Sequence, residues 1–151
     1  MTRDEILNLK GLELRKAVAK VKGYGVLQYD HKETPSIKAF SRYLLMFEET
    51  PAHPGHWRET EDEAWSDAPA FESCIAAAWT LVEETHLVVA PDAARGYNAF
   101  IATCYGDYSP EECIEYTIYY LGTADPEEWM HGKTAPEAIC RAYLLAKAVS
   151  E

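Results

Sequence analysis

The chain has 151 residues, of which 48% are hydrophobic and 12% aromatic, and its 25 acidic and 14 basic side chains give a net charge of -11. This composition is typical of a globular protein, argues against disorder, and suits one compact domain over residues 1–151. The acidic charge repels phosphate backbones, so DNA or RNA is not expected as the main partner. The four cysteines lack a CxxC spacing and no apolar run approaches the ~18 residues of a membrane span, so we expect reduced thiols and a cytoplasmic protein without membrane contact.

The first 25 residues predict a helix that begins at a capping box. Thr2, with Glu5 three residues later, is the reciprocal arrangement that caps a helix N-terminus. Gly11 costs the helix about 1 kcal/mol and can split it in two. Residues 24–50 hold β-favouring stretches around a turn-like segment, and they fit either a hairpin or a strand followed by a helix.

The middle of the chain predicts a loop, a helix and two strands. Residues 50–69 combine prolines with a run of charge, which is typical of a surface loop. Residues 71–85 predict a helix. Its expected apolar stripe comprises Ile75, Ala78, Trp79 and Val82. The runs 86–90 and 97–105 favour strands that pair antiparallel, whereas residues 110–121 fit a helix or, by our preference, a strand after a turn.

A closing helix is predicted after Thr134, which serves as the cap with Glu137 at the third helical position. A helical wheel places Ala138, Ala142, Leu145 and Val149 on the main apolar face. Cys140 falls on a second, weaker strip, and its neighbour Arg141 points about 100° away, so we interpret the thiol as a structural or interface residue rather than a nucleophile. This second strip and the alanine-rich middle helix predict a homo-oligomer.

Three segments carry a family resemblance: "MTRDEIL" at the start, "IAAAWTLVEE" in the middle and "TAPEAICRAYLLA" near the end. In this order they resemble the phage ABA-sandwich domain, a family of small phage and prophage proteins. The resemblance implies a helix, sheet and helix layering, a viral origin and hence a place in the host bacterial cytoplasm. It leaves residues 24–68 as a family-atypical insertion and supplies no catalytic residue. Together with the patterns above, it predicts a mixed α/β fold of the α+β type, with an antiparallel sheet packed by N-terminal, central and C-terminal helices.

Aromatic residues beside basic ones form the candidate ligand site. Aromatic planes stack on bases, and arginine binds phosphate through paired hydrogen bonds, so such residues in loops can line a pocket for a small anionic nucleotide-like ligand. Alternatively, each ring and stem covers a sheet edge while the charge reaches water. The predicted ligand-binding residues are Arg42, Tyr43, His56, Trp57, Arg58, Arg95 and Tyr97.

A metal site is the weaker interpretation of the histidine pair His53 and His56. Zinc uses such pairs, but only Glu59, Glu61 and the distant His31 could complete the ligands, and Pro and Gly residues already explain the segment as a turn. The chain also lacks a glycine-rich phosphate loop, a G-x-S-x-G elbow and an H-E-x-x-H motif. We therefore predict no metal, no cofactor and no catalytic residue.

These patterns predict a non-enzymatic, phage-encoded binding protein. The sharper hypothesis is a counter-defence sponge that sequesters a small nucleotide-derived signal of bacterial immunity. Two alternatives stay open, namely a protein-binding inhibitor of a host factor and an enzyme that degrades a nucleotide or another small molecule.

Overall fold

The computed structural model describes residues 1–85, 87–91, 100–104 and 130–149. They form a mixed α+β fold of antiparallel strands packed by N-terminal, central and C-terminal helices, as predicted. The described strands divide into two sheets, where a single sheet was expected. The elements are α1 (Arg3–Asn8), α2 (Gly11–Val21), β1 (Tyr24–His31), β2 (Phe40–Phe47), β3 (Thr50–Pro51), β4 (Trp57–Arg58), α3 (Glu61–Ser66), α4 (Ile75–Thr85), β5 (Leu87–Pro91), β6 (Phe100–Cys104), β7 (Met130–Gly132) and α5 (Ala135–Val149). None of these helices is long and apolar enough to cross a membrane.

The capping box and the split of the first helix are confirmed. The Glu5 N–H donates to Thr2 Oγ1 at 3.3 Å, and the Thr2 N–H donates to Glu5 Oε2 at 2.6 Å. The helix breaks after Asn8, and Gly11 opens α2 with a φ of +48°. Because that left-handed conformation strains most side chains, glycine suits the position where the chain changes direction.

Residues 24–50 form a hairpin, one of the two alternatives left open. Strands β1 and β2 pair without a bulge from Tyr24 opposite Phe47 to His31 opposite Phe40, and β3 and β4 both pair with β2 to complete sheet 1. Its inner face packs on α2 and α3, with Leu45 in the core and the Tyr24 ring 4.7 Å from that of Phe47.

The loop prediction for residues 50–69 is wrong where α3 forms. Thr60 and Glu63 make a second capping box, and the acidic first turn complements the helix dipole. Ala64 and Trp65 are buried, and the Trp65 indole donates to Glu61 at 3.0 Å. The run of charge therefore lies on the outer side of a short helix whose other side fills the core.

Helix α4 is confirmed, and so are Ala78 and Val82 of its predicted apolar stripe, but Ile75 and Trp79 of that stripe are wrong. Ile75 and Trp79 are about half exposed, whereas Ala78 and Leu81 are fully buried. Ala78 and Leu81 belong to the same core as α5, which α4 contacts. The contact with α5, rather than the apolar pattern of the α4 sequence, thus decides which side of α4 is buried.

Sheet 2 confirms the predicted antiparallel pairing of its first two strands. The register of β5 with β6 runs from Leu87 opposite Cys104 to Pro91 opposite Phe100, and β7 pairs with the other edge of β6. A Cβ on Gly132 of β7 would lie 2.4 Å from the Ala138 nitrogen, so only glycine allows this approach to α5. The segment 110–121 lies outside the described residues.

Helix α5 lies at the centre of the described part of the chain, because α1, α2, α4 and sheet 2 all contact it. Its residues 138–144 are all buried. Cys140 is fully buried, and burial raises the pKa of its thiol. The thiol is therefore structural, as expected, but the second strip is not on the surface. Leu144, the apolar neighbour of Cys140 on this strip, is buried as well, so the two residues offer no interface for the predicted homo-oligomer.

Buried ionic groups fasten the helices around α5. Arg141 donates to the carbonyl oxygens of His131 at 2.6 Å and Leu9 at 3.0 Å, joining α5 to β7 and to the end of α1. Arg15 forms a two-pronged ion pair with Glu72, the closest contact being 2.7 Å. Burial is the largest single influence on Glu72 and would raise its pKa, but the hydrogen bonds and charge of Arg15, together with hydrogen bonds from the backbone and from Ser73, outweigh it and hold this pKa below its ordinary value of 4.5.

Candidate ligand-binding face

The side of sheet 1 that points away from α2 and α3 carries the candidate site. Side chains alternate between the faces of a strand, and directly paired residues share a face. The register pairs Leu27 with Leu44, and Leu44 in turn with Trp57, so the same face extends across three strands. We call this surface the outer face; it comprises Leu27, Tyr29, His31, Phe40, Arg42, Leu44 and Trp57.

Aromatic rings dominate the outer face and are open to solvent. Tyr29 and Trp57 are 51% and 48% exposed, and their ring centroids lie 6.1 Å apart in an edge arrangement. Further along the hairpin, the His31 ring stacks on Phe40 at 4.9 Å. Leu44 is buried beneath this layer. Contiguous exposed rings of this kind mark binding surfaces rather than ordinary protein surface.

Arg42 is the predicted cation that the structure places beside these rings. Its guanidinium lies 5.6 Å from the Phe40 ring centroid and forms a 2.8 Å ion pair with Glu59, whose side chain is 77% exposed. Such surface pairs contribute about 0–1 kcal/mol. A phosphate can therefore replace the Glu59 carboxylate at little cost.

Tyr43 and Arg58 are paired with each other on the opposite, inner face. Arg58 binds Asp67 through two hydrogen bonds of 2.6 and 2.8 Å, and the hydrogen bonding raises the pKa of its guanidinium. Because Asp67 is largely buried, this pair is more strongly held than that of Arg42. Neighbouring residues on a strand point to opposite sides of the sheet. Arg42 and Tyr43 therefore lie on different faces, and so do Trp57 and Arg58.

The remaining predicted residues have different outcomes. His56 is exposed and directly precedes Trp57 in the sequence. Arg95 and Tyr97 fall within residues 92–99, outside the described part of the chain. The sequence interpretation missed Tyr29 and Phe40. The alternation in "VLQYDH" carried that signal, but it became usable only once the hairpin was known.

The tip of the hairpin carries more positive charge than the acidic chain as a whole. Residues 31–42 contain Lys32, Lys38 and Arg42 but only one carboxylate, that of Glu33. Lys32 and Lys38 are exposed at the tip of the hairpin. These two lysines next to the outer face reduce the repulsion that the net charge of -11 exerts on an anionic ligand.

No group of three or more His, Cys, Asp or Glu side chains in the described ranges could hold a metal ion. Comparisons with protein-family models, curated proteins and solved structures each gave no match. The resemblance of the three segments to the phage ABA-sandwich domain therefore stays a prediction.

Proposed function

We propose that this chain is a non-enzymatic binding protein that sequesters a small, anionic, nucleotide-derived ligand on the outer face, in keeping with a phage-encoded sponge for an immune signal. The observation that carries the proposal is the grouping of Tyr29, Trp57 and Arg42 on one exposed face. Aromatic rings on a sheet stack on bases with little regard to sequence, and a nearby arginine contacts the phosphate. The site would thus bind a nucleotide through both of its chemical parts.

The strands fix the backbone positions of these groups before the ligand arrives, and the contact of Tyr29 with Trp57 and the ion pair of Arg42 with Glu59 restrict their side chains. Tyr29 and Arg42 are directly opposite each other in the register, while Trp57 is held by its pairing with Leu44. Groups that are already ordered lose less conformational entropy on binding. A sponge depends on such an arrangement because it acts by affinity and does not turn its ligand over.

Calorimetric titration with cyclic mononucleotides, cyclic dinucleotides and ADP-ribose-derived signals tests this proposal. We expect one of them to bind stoichiometrically and to be recovered intact after denaturation. Trp57→Ala should weaken binding by about 5- to 150-fold, as the loss of one stacked base does. The proposal fails if no compound binds, or if Trp57→Ala binds as tightly as the natural chain.

The two neighbouring arginines provide a matched control. Arg42→Ala should lower the affinity and its dependence on salt, because the guanidinium contacts the ligand phosphate. Arg58→Ala removes the same charge from the inner face, where Asp67 holds it, and should leave the affinity unchanged. Equal losses in the two variants would show that only overall charge matters and would contradict a site on the outer face.

A protein-binding inhibitor is the second candidate, favoured by one observation. Leu27, Ile37 and Phe40 add apolar exposure to the two aromatic rings, so the exposed hydrophobic surface of the hairpin is larger than a single base requires. A pull-down from host lysate distinguishes the candidates. A specific protein captured by the natural chain and lost in Trp57→Ala, with no nucleotide bound, would favour the inhibitor.

A further inference from the structure

Strand β1 has one paired and one unpaired edge in the described part of the chain, where β2 is its sole partner. The Ala52 N–H donates to the Leu45 carbonyl at 2.9 Å, so the backbone of Leu45 points towards β3. Val26 is the residue opposite Leu45, and its N–H and C=O must therefore point away from β2. By alternation, Tyr24, Gln28 and Asp30 do the same.

This edge lacks the features that usually prevent pairing with another strand. Its eight residues contain no proline and no lysine, and the pairing with β2 runs without a bulge. Asp30 is its one acidic residue. The Asp30 carboxylate is already occupied within the sheet, since it accepts from Ser41 at 2.6 Å and from Gln28 at 2.9 Å.

We propose that β1 pairs with β1 of a second copy, antiparallel about a two-fold axis at Leu27, and so joins the two sheets into one. In this register Val26 faces Gln28 of the second copy, and Tyr24 faces Asp30. All four residues are those whose backbone groups point outwards, so every outward N–H and C=O finds a partner. Within β1, no two charges of the same sign lie opposite each other, and Lys22 and Lys32 flank the two ends of the strand.

The side chains on the outer face also fit this axis. Leu27, which is 47% exposed, meets its own copy, and the two leucines cover each other. Tyr29 meets Gly25 of the second copy, and no atom lies within 4 Å of a Cβ built on Gly25, so the ring has space. The two outer faces then continue into each other across the axis.

Opposite charges at Leu27 provide the test. Leu27→Lys and Leu27→Glu each place two like charges at the axis, so each variant alone should dimerise at least about a hundredfold more weakly. Mixed in equal amounts, the two should form a heterodimer. Sedimentation equilibrium should give twice the chain mass of 17.0 kDa for the natural protein and for the mixture, and 17.0 kDa for each variant.

Ile37→Lys is the matched control, because it adds a charge at an exposed residue of the same hairpin outside β1 and should leave the dimer intact. Circular dichroism confirms that each variant is folded. The natural protein would be measured over a 100-fold range of concentration up to about 0.1 mM, where even a dimer with a micromolar dissociation constant forms. A mass of 17.0 kDa throughout this range overturns the proposal. A variant pair that fails to recombine overturns the axis at Leu27. Neither result depends on whether a nucleotide binds.

Discussion

Similar residue types are buried around α5 and exposed to solvent on the β1–β2 hairpin. Around α5, Ile139, Cys140 and Tyr143 are sealed in the core, and the charge of Arg141 is taken up by backbone carbonyls. On the hairpin, Tyr29 and Arg42 stand in solvent with weak partners. An aromatic ring or an arginine therefore indicates a binding site only when its burial and its partners are known.

The largest expected effect is a difference in reactivity between the thiol sealed in α5 and an exposed thiol just before α4. Cys74 is exposed, whereas Cys140 is buried and burial raises its pKa. Alkylation of Cys140 should be slower on the order of a thousandfold, because it requires opening of a domain stable by at least about 5 kcal/mol. Peptide mass spectrometry after timed alkylation measures both rates. Similar rates in native buffer would contradict the sealed core, and equal labelling in urea is the control.

Substituting one isoleucine in each region compares how much the two residues contribute to the free energy of unfolding. Ile139→Ala should lower the free energy of unfolding by about 2–5 kcal/mol, because it leaves a cavity in the core. Ile37→Ala, on the exposed turn of the hairpin, should change it by about 0.5 kcal/mol or less. Urea denaturation of the two variants gives both values. Comparable losses would mean that the hairpin tip is packed and does not stand in solvent.

The buried ion pair of Arg15 with Glu72 predicts a dependence on pH. Because the folded-state pKa of Glu72 lies below 4.5, its ionisation stabilises the fold above that pH and the stabilisation is lost as pH falls through the folded pKa. Glu72→Gln should therefore cost about 1.5–3 kcal/mol at pH 7 and progressively less in acid. Urea midpoints of both proteins between pH 7 and pH 3 check this. A constant difference would contradict the role of the charge.

The smallest effect is expected within the outer face itself. Tyr29 and Trp57 touch edge to face, and such pairs contribute about 0.5 kcal/mol when exposed. A double-mutant cycle with Tyr29→Ala and Trp57→Ala should recover this coupling from urea denaturation. The same cycle with Ile37→Ala in place of Tyr29→Ala should give none. Equal coupling in the two cycles would show that the rings do not contact each other specifically.

Local signals predicted much of the fold. The capping box at Thr2, the break near Gly11 and the pairing of β5 with β6 depend on neighbouring residues and on simple alternation, and each is confirmed. The exposed side of α4 and the burial of Cys140 depend on which elements surround them. A helical wheel contains no such information, because α5 is covered from several directions at once.

The site was predicted less completely, for a related reason. The sequence prediction grouped each arginine with the aromatic residue next to it, Arg42 with Tyr43 and Arg58 with Trp57. On a strand, the two members of each pair point to opposite faces. The grouping that forms on the outer face, Arg42 with Tyr29 and Trp57, joins residues from three strands. It could be found only after the hairpin register was known.

Analysis of the small molecules that the protein retains is the most direct test of the outer face as a nucleotide-binding surface. The natural chain and Trp57→Ala would be purified from a bacterial host with an active defence system and then heat-denatured, and mass spectrometry would identify the released molecules. We predict an intact nucleotide-derived compound from the natural chain and a depletion of about fivefold or more in Trp57→Ala. Release of no such compound, or of equal amounts from both proteins, would contradict the proposed function.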